Sequence, residues 1–195
     1  MFRSPSLRSF DPRAVGSLEC RAWETYYRRK WGAAAVAFVG LVRAAFGMPW
    51  PRTLLGAWYV LRANQVWAPA DNDPDAARAF MTRFYALLRR TEGGIFDPRR
   101  AAELEVEWWR AHREDQHGGD EASAESLVRA LQDLYSYTYG VPPEDVRQAA
   151  ALRAQAMDVS DRWVAAGCDP EDPALALERS LLVRSYASLL AAVHR

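Results

Sequence analysis

The chain has 195 residues, enough for one domain with a sizeable core. Half of the residues are hydrophobic and 25 basic residues balance 25 acidic ones. This composition argues against a disordered chain and against a protein that coats nucleic acid, which needs a basic face. Eight Trp, eight Tyr and seven Phe make the chain rich in aromatic side chains, and this excess needs a structural or functional explanation.

Basic residues and cysteines indicate the compartment. Lys30 is the only lysine among the 25 basic residues, a preference for arginine that is typical of a GC-rich genome rather than of phosphate binding. Cys20 and Cys168 are too few for a disulfide framework or a zinc site. Residues 1–20 lack the apolar core of a signal peptide. We therefore expect a bacterial cytoplasmic protein.

Proline and glycine positions predict an all-α domain, 17–195, behind an irregular N-terminal arm, 1–16. Asp-Pro pairs mark helix starts, because the carboxylate caps free backbone amides and proline at the first position needs no hydrogen bond. Gly93-Gly94, Gly140 and Gly167 are predicted helix ends. No segment alternates apolar and polar residues as a strand would. The seven predicted helices are 17–46, 52–67, 74–91, 98–116, 123–139, 143–166 and 173–193.

Two predicted helices are apolar on nearly all sides. Residues 31–50 carry one charge, Arg43, over the length of a membrane span, and residues 26–30 resemble an interfacial anchor. However, Ala and Gly gain little from transfer to lipid, and an arginine inside a span is costly. We favour a buried central helix over membrane-surface association, and both over a true span. Residues 52–67 should lie beside it in a bundle of about seven helices.

Helix 98–116 carries the main candidate for chemistry. Glu105 and His112 lie on its apolar side, about 10.5 Å apart along the axis. Trp108 and Trp109 lie between them. A carboxylate and an imidazole among tryptophans have shifted pKa values, a usual condition for acid–base work. We predict Glu105 and His112 as catalytic residues, and whether the protein is an enzyme stays open.

Polar residues of two other helices join the same predicted pocket. Arg153, Ser160 and Asp161 lie on or at the edge of the inward arc of the sixth predicted helix, and Asn64 ends the otherwise apolar second one. If these helices face one another, the pocket would bind a hydrophobic or aromatic small molecule. The predicted binding residues are Asn64, Trp67, Trp108, Trp109, Arg153, Ser160, Asp161 and Trp163, with Trp58 in the same wall.

A structural interpretation of the same polar residues competes with the pocket. Buried charges are usually paired, so Glu105 with Arg153, or Asp161 with His112, would be ion pairs that fix the register of the helices. Under this interpretation the polar cluster packs in a closed core and binds nothing. The discriminating feature is a cavity that reaches Glu105 and His112.

A different functional alternative is a non-enzymatic interaction module, whose partner would be a second copy of the chain or another protein. Tyr135, Tyr137 and Tyr139 would supply its contact surface. Tyrosine suits such a face because it combines a large contact area with a hydrogen-bonding tip. A homodimer is the simplest form of this alternative.

Motifs for metals, cofactors and nucleic acids are missing from the sequence. The three histidines do not form the two Glu-x-x-His motifs of a di-metal bundle. Residues 71–75 imitate the start of a calcium loop, but Ala76 and Thr82 replace its Gly and Glu. There is no glycine-rich phosphate loop, G-x-S-x-G or CxxC. The sequence therefore predicts no metal site, identifies no cofactor and disfavours nucleic acid as a partner.

Overall fold

The computed structural model describes residues 7–92, 96–118 and 121–195. Over these residues the fold is all-α, as predicted, but it has eight helices rather than seven. The predicted helix end at Gly93-Gly94 lies outside the described residues. The helices are α1 (Pro12–Tyr27), α2 (Trp31–Phe46), α3 (Trp50–Trp67), α4 (Pro74–Glu92), α5 (Pro98–Gly118), α6 (Glu121–Tyr139), α7 (Pro143–Ala165) and α8 (Ala174–Val193).

The additional helix comes from a break inside the predicted first helix. Arg29 adopts a left-handed conformation with φ of 57°, which separates α1 from α2. α1 also begins earlier than predicted, at Pro12, because Asp11 caps it by accepting a hydrogen bond from the backbone N–H of Arg13 at 2.9 Å. Residues 12–16 are therefore helical, and residues 1–6 of the predicted arm lie outside the described part of the chain.

The other helix ends follow the predicted cap chemistry. Asp73 and Asp97 accept backbone N–H groups at 2.9 and 3.1 Å at the starts of α4 and α5. Gly140 and Gly167 have φ of 63° and 101° at the ends of α6 and α7. Glycine adopts a positive φ at low cost because it has no Cβ, whereas other residues rarely do. Local sequence therefore sets most of the helix bounds.

The eight helices close into a ring. Each helix packs mainly against the helices before and after it in the chain, and α8 packs against α1. At this closure α1 presents Gly16, where a Cβ would lie 2.7 Å from the backbone nitrogen of Val183 in α8. Only a glycine permits so close an approach of the two backbones.

The core lies along the axis of this ring. One interior cavity is lined by side chains from all eight helices. The segment before α1 covers one end of the ring, near the C-terminal ends of α6 and α8, where Leu7 and Phe10 are buried. Arg8 fastens this segment by donating hydrogen bonds to the backbone oxygens of Tyr139 and Val193.

The prediction of one or two central apolar helices is wrong for α2 and α3. A ring offers each helix only one inner face, so helices that are apolar all round must leave apolar side chains outside. α3 buries Thr53, Gly56, Ala57 and Ala63 on one face only. The exposed large apolar residues of the two helices are Trp31, Val36, Trp50, Leu54, Leu55 and Trp58.

The length and hydropathy of α2 and α3 resemble those of a membrane span only when the two helices are taken together. Among the described residues, no single helix has the length and hydropathy needed to cross a bilayer. α2 and α3 meet the criteria together, but they are bent by 118° relative to each other at the break between them.

Candidate functional site

A cavity of about 290 Å³ lies where the C-terminal halves of α1, α3, α5 and α7 meet the N-terminal half of α8. We call it the aromatic cavity. Exposed Ala68 and Gln116 belong to its lining, which places its mouth at the surface near the ends of α3 and α5. Its aromatic lining residues are Trp23, Tyr26, Tyr27, Trp67, Trp108 and Trp109.

A second cavity of about 150 Å³, which we call the inner cavity, lies on the axis of the ring and is mostly apolar. Three buried atoms of its lining residues have no hydrogen-bond partner among the described residues: Nε of Arg153, Oγ1 of Thr138 and Nε1 of Trp108. Unpaired buried polar atoms are costly, so a polar group of a bound molecule or a water would be stabilised there. The residues that line both cavities are Glu19, Trp23, Asn64, Trp108 and Trp109.

The structure brings most of the predicted site residues to these two cavities. Glu105 and Arg153 line the inner cavity. Trp163 lines neither cavity. It is buried elsewhere, and its indole N–H donates to the backbone oxygen of Asp169 at 2.8 Å. Trp58 is exposed on α3, so its predicted place in the pocket wall is wrong. The predicted residues in the aromatic cavity are Asn64, Trp67, Trp108, Trp109, His112, Ser160 and Asp161.

His112 and Asp161 form a hydrogen-bonded pair in the wall of the aromatic cavity. Nε2 of His112 lies 2.9 Å from Oδ2 of Asp161, and Gln116 donates to the other carboxylate oxygen at 2.8 Å. A carboxylate can only accept, so the pair places a proton on Nε2 and, in the neutral imidazole, the lone pair on Nδ1. This is one of the two ion pairs that the structural interpretation anticipates, yet it lines an open cavity.

Glu105 is not brought together with His112. Its Oε2 accepts a hydrogen bond from the hydroxyl of Tyr85 at 2.6 Å inside the inner cavity. Burial raises the pKa of Glu105, although the hydrogen bond from Tyr85 opposes this rise. The two predicted catalytic residues therefore line different cavities.

Arg153 pairs with Glu19 of α1, a residue that the sequence interpretation did not include, instead of with Glu105. Its Nη2 donates to Glu19 at 2.6 Å and its Nη1 donates to the hydroxyl of Tyr135 at 3.0 Å. Tyr186 donates to the other oxygen of Glu19. Burial opposes the charge on Arg153, but the Glu19 carboxylate raises the pKa of this guanidinium well above its usual value. The cluster links α1, α6, α7 and α8 across the ring.

Glu178 of α8 is the second acidic residue that the sequence interpretation missed. It lines the aromatic cavity and is 3% exposed. Burial, and after it the charge of Glu19, raises the pKa of Glu178 to about 8. At neutral pH the carboxyl group is therefore mostly protonated and can donate a hydrogen bond to a ligand.

The spacing of apolar residues along α8 and α1 indicates that both of these acidic residues, Glu178 and Glu19, face the interior. Glu178 lies between Leu175 and Leu182 on the apolar stripe of α8, three and four residues away from them. Glu19 is four residues after Val15 on the buried face of α1. An acidic residue within an apolar stripe is either paired or functional, because an unpaired buried charge is very costly.

The structure also overturns the predicted tyrosine surface of α6. Tyr135 and Tyr139 are 4% and 9% exposed, since they point into the inner cavity. The hydroxyl of Tyr137 accepts a hydrogen bond from the backbone N–H of Asp97 at 3.0 Å. These residues therefore do not offer an exposed contact face to a second copy.

Over the described residues, no group of three or more His, Cys, Asp or Glu side chains is placed to hold a metal ion. Cys20 and Cys168 are both free thiols. The polar side chains that line the two cavities carry carboxyl, imidazole, guanidinium, amide and hydroxyl groups.

Comparison with known proteins adds no family. No protein-family model, curated protein or solved structure matches this chain. The basis for a functional inference is therefore the site itself, because a fold alone does not determine an activity.

Proposed function

We propose that the protein binds a small hydrophobic or aromatic molecule in the aromatic cavity. The observation that carries this proposal is an open cavity of about 290 Å³ with six aromatic side chains in its lining. Small-molecule sites are typically concave, mostly apolar and supplied with a few polar groups, with volumes of about 300–1,000 Å³. The aromatic cavity, at about 290 Å³, lies just below that range, which favours a compact ligand of one to three rings.

Polar groups of the cavity would orient this ligand. A protonated Glu178 carboxyl group would donate a hydrogen bond to the ligand, which favours a ligand with a neutral acceptor such as a carbonyl or a ring nitrogen. The side-chain amide of Asn64 donates to the backbone oxygen of Val60 at 2.9 Å, which leaves its carbonyl oxygen as an acceptor. A ligand with both an acceptor and a donor on a flat apolar body fits these two groups.

The catalytic part of the proposal rests on His112. Asp161 holds the imidazole in one orientation and would stabilise the imidazolium form during a proton transfer, the role that a carboxylate has beside a catalytic histidine. Glu105 is enclosed in the inner cavity beside Tyr85. We therefore separate the two predicted catalytic residues and place proton exchange with the ligand on His112 alone.

Blocking the mouth of the cavity tests the proposal. Ala68 is an exposed lining residue at the end of α3, whereas Ala70 is exposed two residues later and does not line the cavity. Ala68→Trp should obstruct entry, and Ala70→Trp adds the same side chain outside the cavity. The probes are indole, 2-naphthol and benzimidazole, titrated by calorimetry and by quenching of tryptophan fluorescence.

We expect saturable one-to-one binding of at least one probe. Ala68→Trp should weaken it by about tenfold or more, or about 1.4 kcal/mol, while Ala70→Trp leaves it unchanged. Thermal unfolding of both variants checks that the fold is intact. Absence of saturable binding for every probe, or equal binding by the two variants, would overturn the proposal.

A further inference from the structure

The outer surface of α2 and α3 is apolar and unpartnered. Six large apolar side chains are exposed there, and on α3 they form one stripe along the helix. We call these six residues the hairpin surface. Its members are Trp31, Val36, Trp50, Leu54, Leu55 and Trp58.

The chain segment that carries the hairpin surface has charges of one sign only. Between Glu24 and Asp71 the chain has no acidic residue and six basic ones, although the whole chain is neutral. The remainder of the chain therefore has an excess of acidic residues. The basic residues of this segment are Arg28, Arg29, Lys30, Arg43, Arg52 and Arg62.

Most of these cations lack an acidic partner. Of these six basic residues, only Arg28 forms an ion pair within the described part of the chain, with Glu24 at 2.9 Å. The guanidinium of Arg43 lies 4.8 Å from the ring centre of Trp50. Arg62 lies 5.7 Å from the ring centre of Trp58. Exposed tryptophans thus stand beside cations whose charge is not neutralised by the protein.

We propose that the hairpin surface docks on the surface of an anionic lipid bilayer. Tryptophan is favoured at the level of lipid headgroups, where one side of the ring is apolar and the other is wet. Unpaired Lys and Arg side chains are attracted to anionic lipids within a Debye length of the surface. α3 lies along the interface rather than across it, because its other face packs in the protein core.

Charge also decides between a bilayer and a second copy of the chain. Two copies joined through the hairpin surface would bring their basic residues together without an acidic residue of this segment between them. Like charges across an interface are repulsive and disfavour such a pairing. An anionic bilayer supplies both the apolar interior and the negative charge that this surface lacks.

Vesicle flotation tests the proposal with matched variants. Leu54 and Leu177 are 56% and 53% exposed, the first on the hairpin surface and the second on α8. Leu54→Glu and Leu177→Glu therefore place the same charge at equal exposure on two different surfaces. Arg52→Glu and Arg129→Glu form a second pair, in α3 and α6. Vesicles are equimolar phosphatidylglycerol and phosphatidylcholine, or phosphatidylcholine alone.

We expect the protein to float with the anionic vesicles and to bind phosphatidylcholine at least about fivefold more weakly. Leu54→Glu and Arg52→Glu should each reduce anionic binding by about fivefold or more, while Leu177→Glu and Arg129→Glu retain it. Added salt should weaken the wild-type binding.

Three results would overturn the proposal. The first is no flotation with anionic vesicles, and the second is an equal loss in both members of a pair. The third is light scattering that shows a dimer which Leu54→Glu converts to a monomer, because a second copy then covers the surface. Each variant is checked by circular dichroism before flotation.

Discussion

Replacing Glu178 with glutamine should stabilise the protein more at pH 8 than at pH 5. The pKa of Glu178 is raised from 4.5 to about 8 by burial and by the charge of Glu19. Between these values the folded state holds a proton that the unfolded state releases, so the free energy of unfolding falls as the pH rises. Glutamine keeps the shape of the protonated acid and has no charge to lose, so the Glu178→Gln variant should escape this fall.

The size of the effect follows from the same shift. Each pKa unit corresponds to about 1.36 kcal/mol, so the interval from about pH 5 to about pH 8 sets an upper bound of about 4 kcal/mol. The aromatic cavity opens to solvent, and water that enters it would stabilise the charged carboxylate. We therefore expect the difference between variant and wild type to grow by about 1–3 kcal/mol over this interval.

Urea unfolding followed by circular dichroism at several pH values measures this difference. The pKa of Glu105 is also raised, but this residue is present in both proteins and its effect cancels in the comparison. Glu103→Gln, at an exposed position of α5, is the matched control and should show no such trend. A difference for Glu178→Gln that is constant with pH, or that shrinks as the pH rises, would refute the reasoning.

Two further predictions concern ring closure and the interior ion pair. Gly16→Ala should cost about 1–3 kcal/mol, because its Cβ would overlap the backbone of α8, whereas Gly32→Ala meets nothing within 4 Å and should be neutral or slightly stabilising. Equal effects of the two variants in urea unfolding would contradict the close approach of α1 and α8. Glu19→Gln should cost about 3–5 kcal/mol, since it leaves the buried Arg153 guanidinium without its carboxylate. Adding Arg153→Met should recover part of this loss, and a double variant no more stable than the single one would contradict the pairing.

Helix bounds were predictable where they depend on neighbours in the chain. Asp73 and Asp97 start their helices, and Gly140 ends one, through cap chemistry that involves only a few adjacent residues. The break at Arg29 was missed because a left-handed arginine has no such local signature.

The periodicity of a single helix predicted which of its residues face the interior, but it could not predict how the helices are arranged around each cavity. The periodicity of α5 correctly placed Trp108, Trp109 and His112 toward the interior. The same periodicity could not show that Glu105, about 10.5 Å away along the axis, lies in a different cavity. Which cavity a residue lines depends on which helices surround it, and that is a long-range property. Glu19 was missed for a related reason, since the faces of α1 could not be assigned while α1 was treated as part of a longer helix.

The arrangement of the helices explains why the excess of aromatic residues serves two separate places. Because all eight helices line the interior, their inner faces must fill a central space, and four tryptophans do so around the aromatic cavity. The same closure leaves α2 and α3 with an outer apolar face, on which three further tryptophans are exposed. Two of these, Trp50 and Trp58, lie beside unpaired cations. A bundle with a true central helix would have buried these three, so their exposure follows from the ring. The two groups are separable by experiment: filling the mouth of the cavity should leave vesicle binding intact, and a charge on the hairpin surface should leave ligand binding intact.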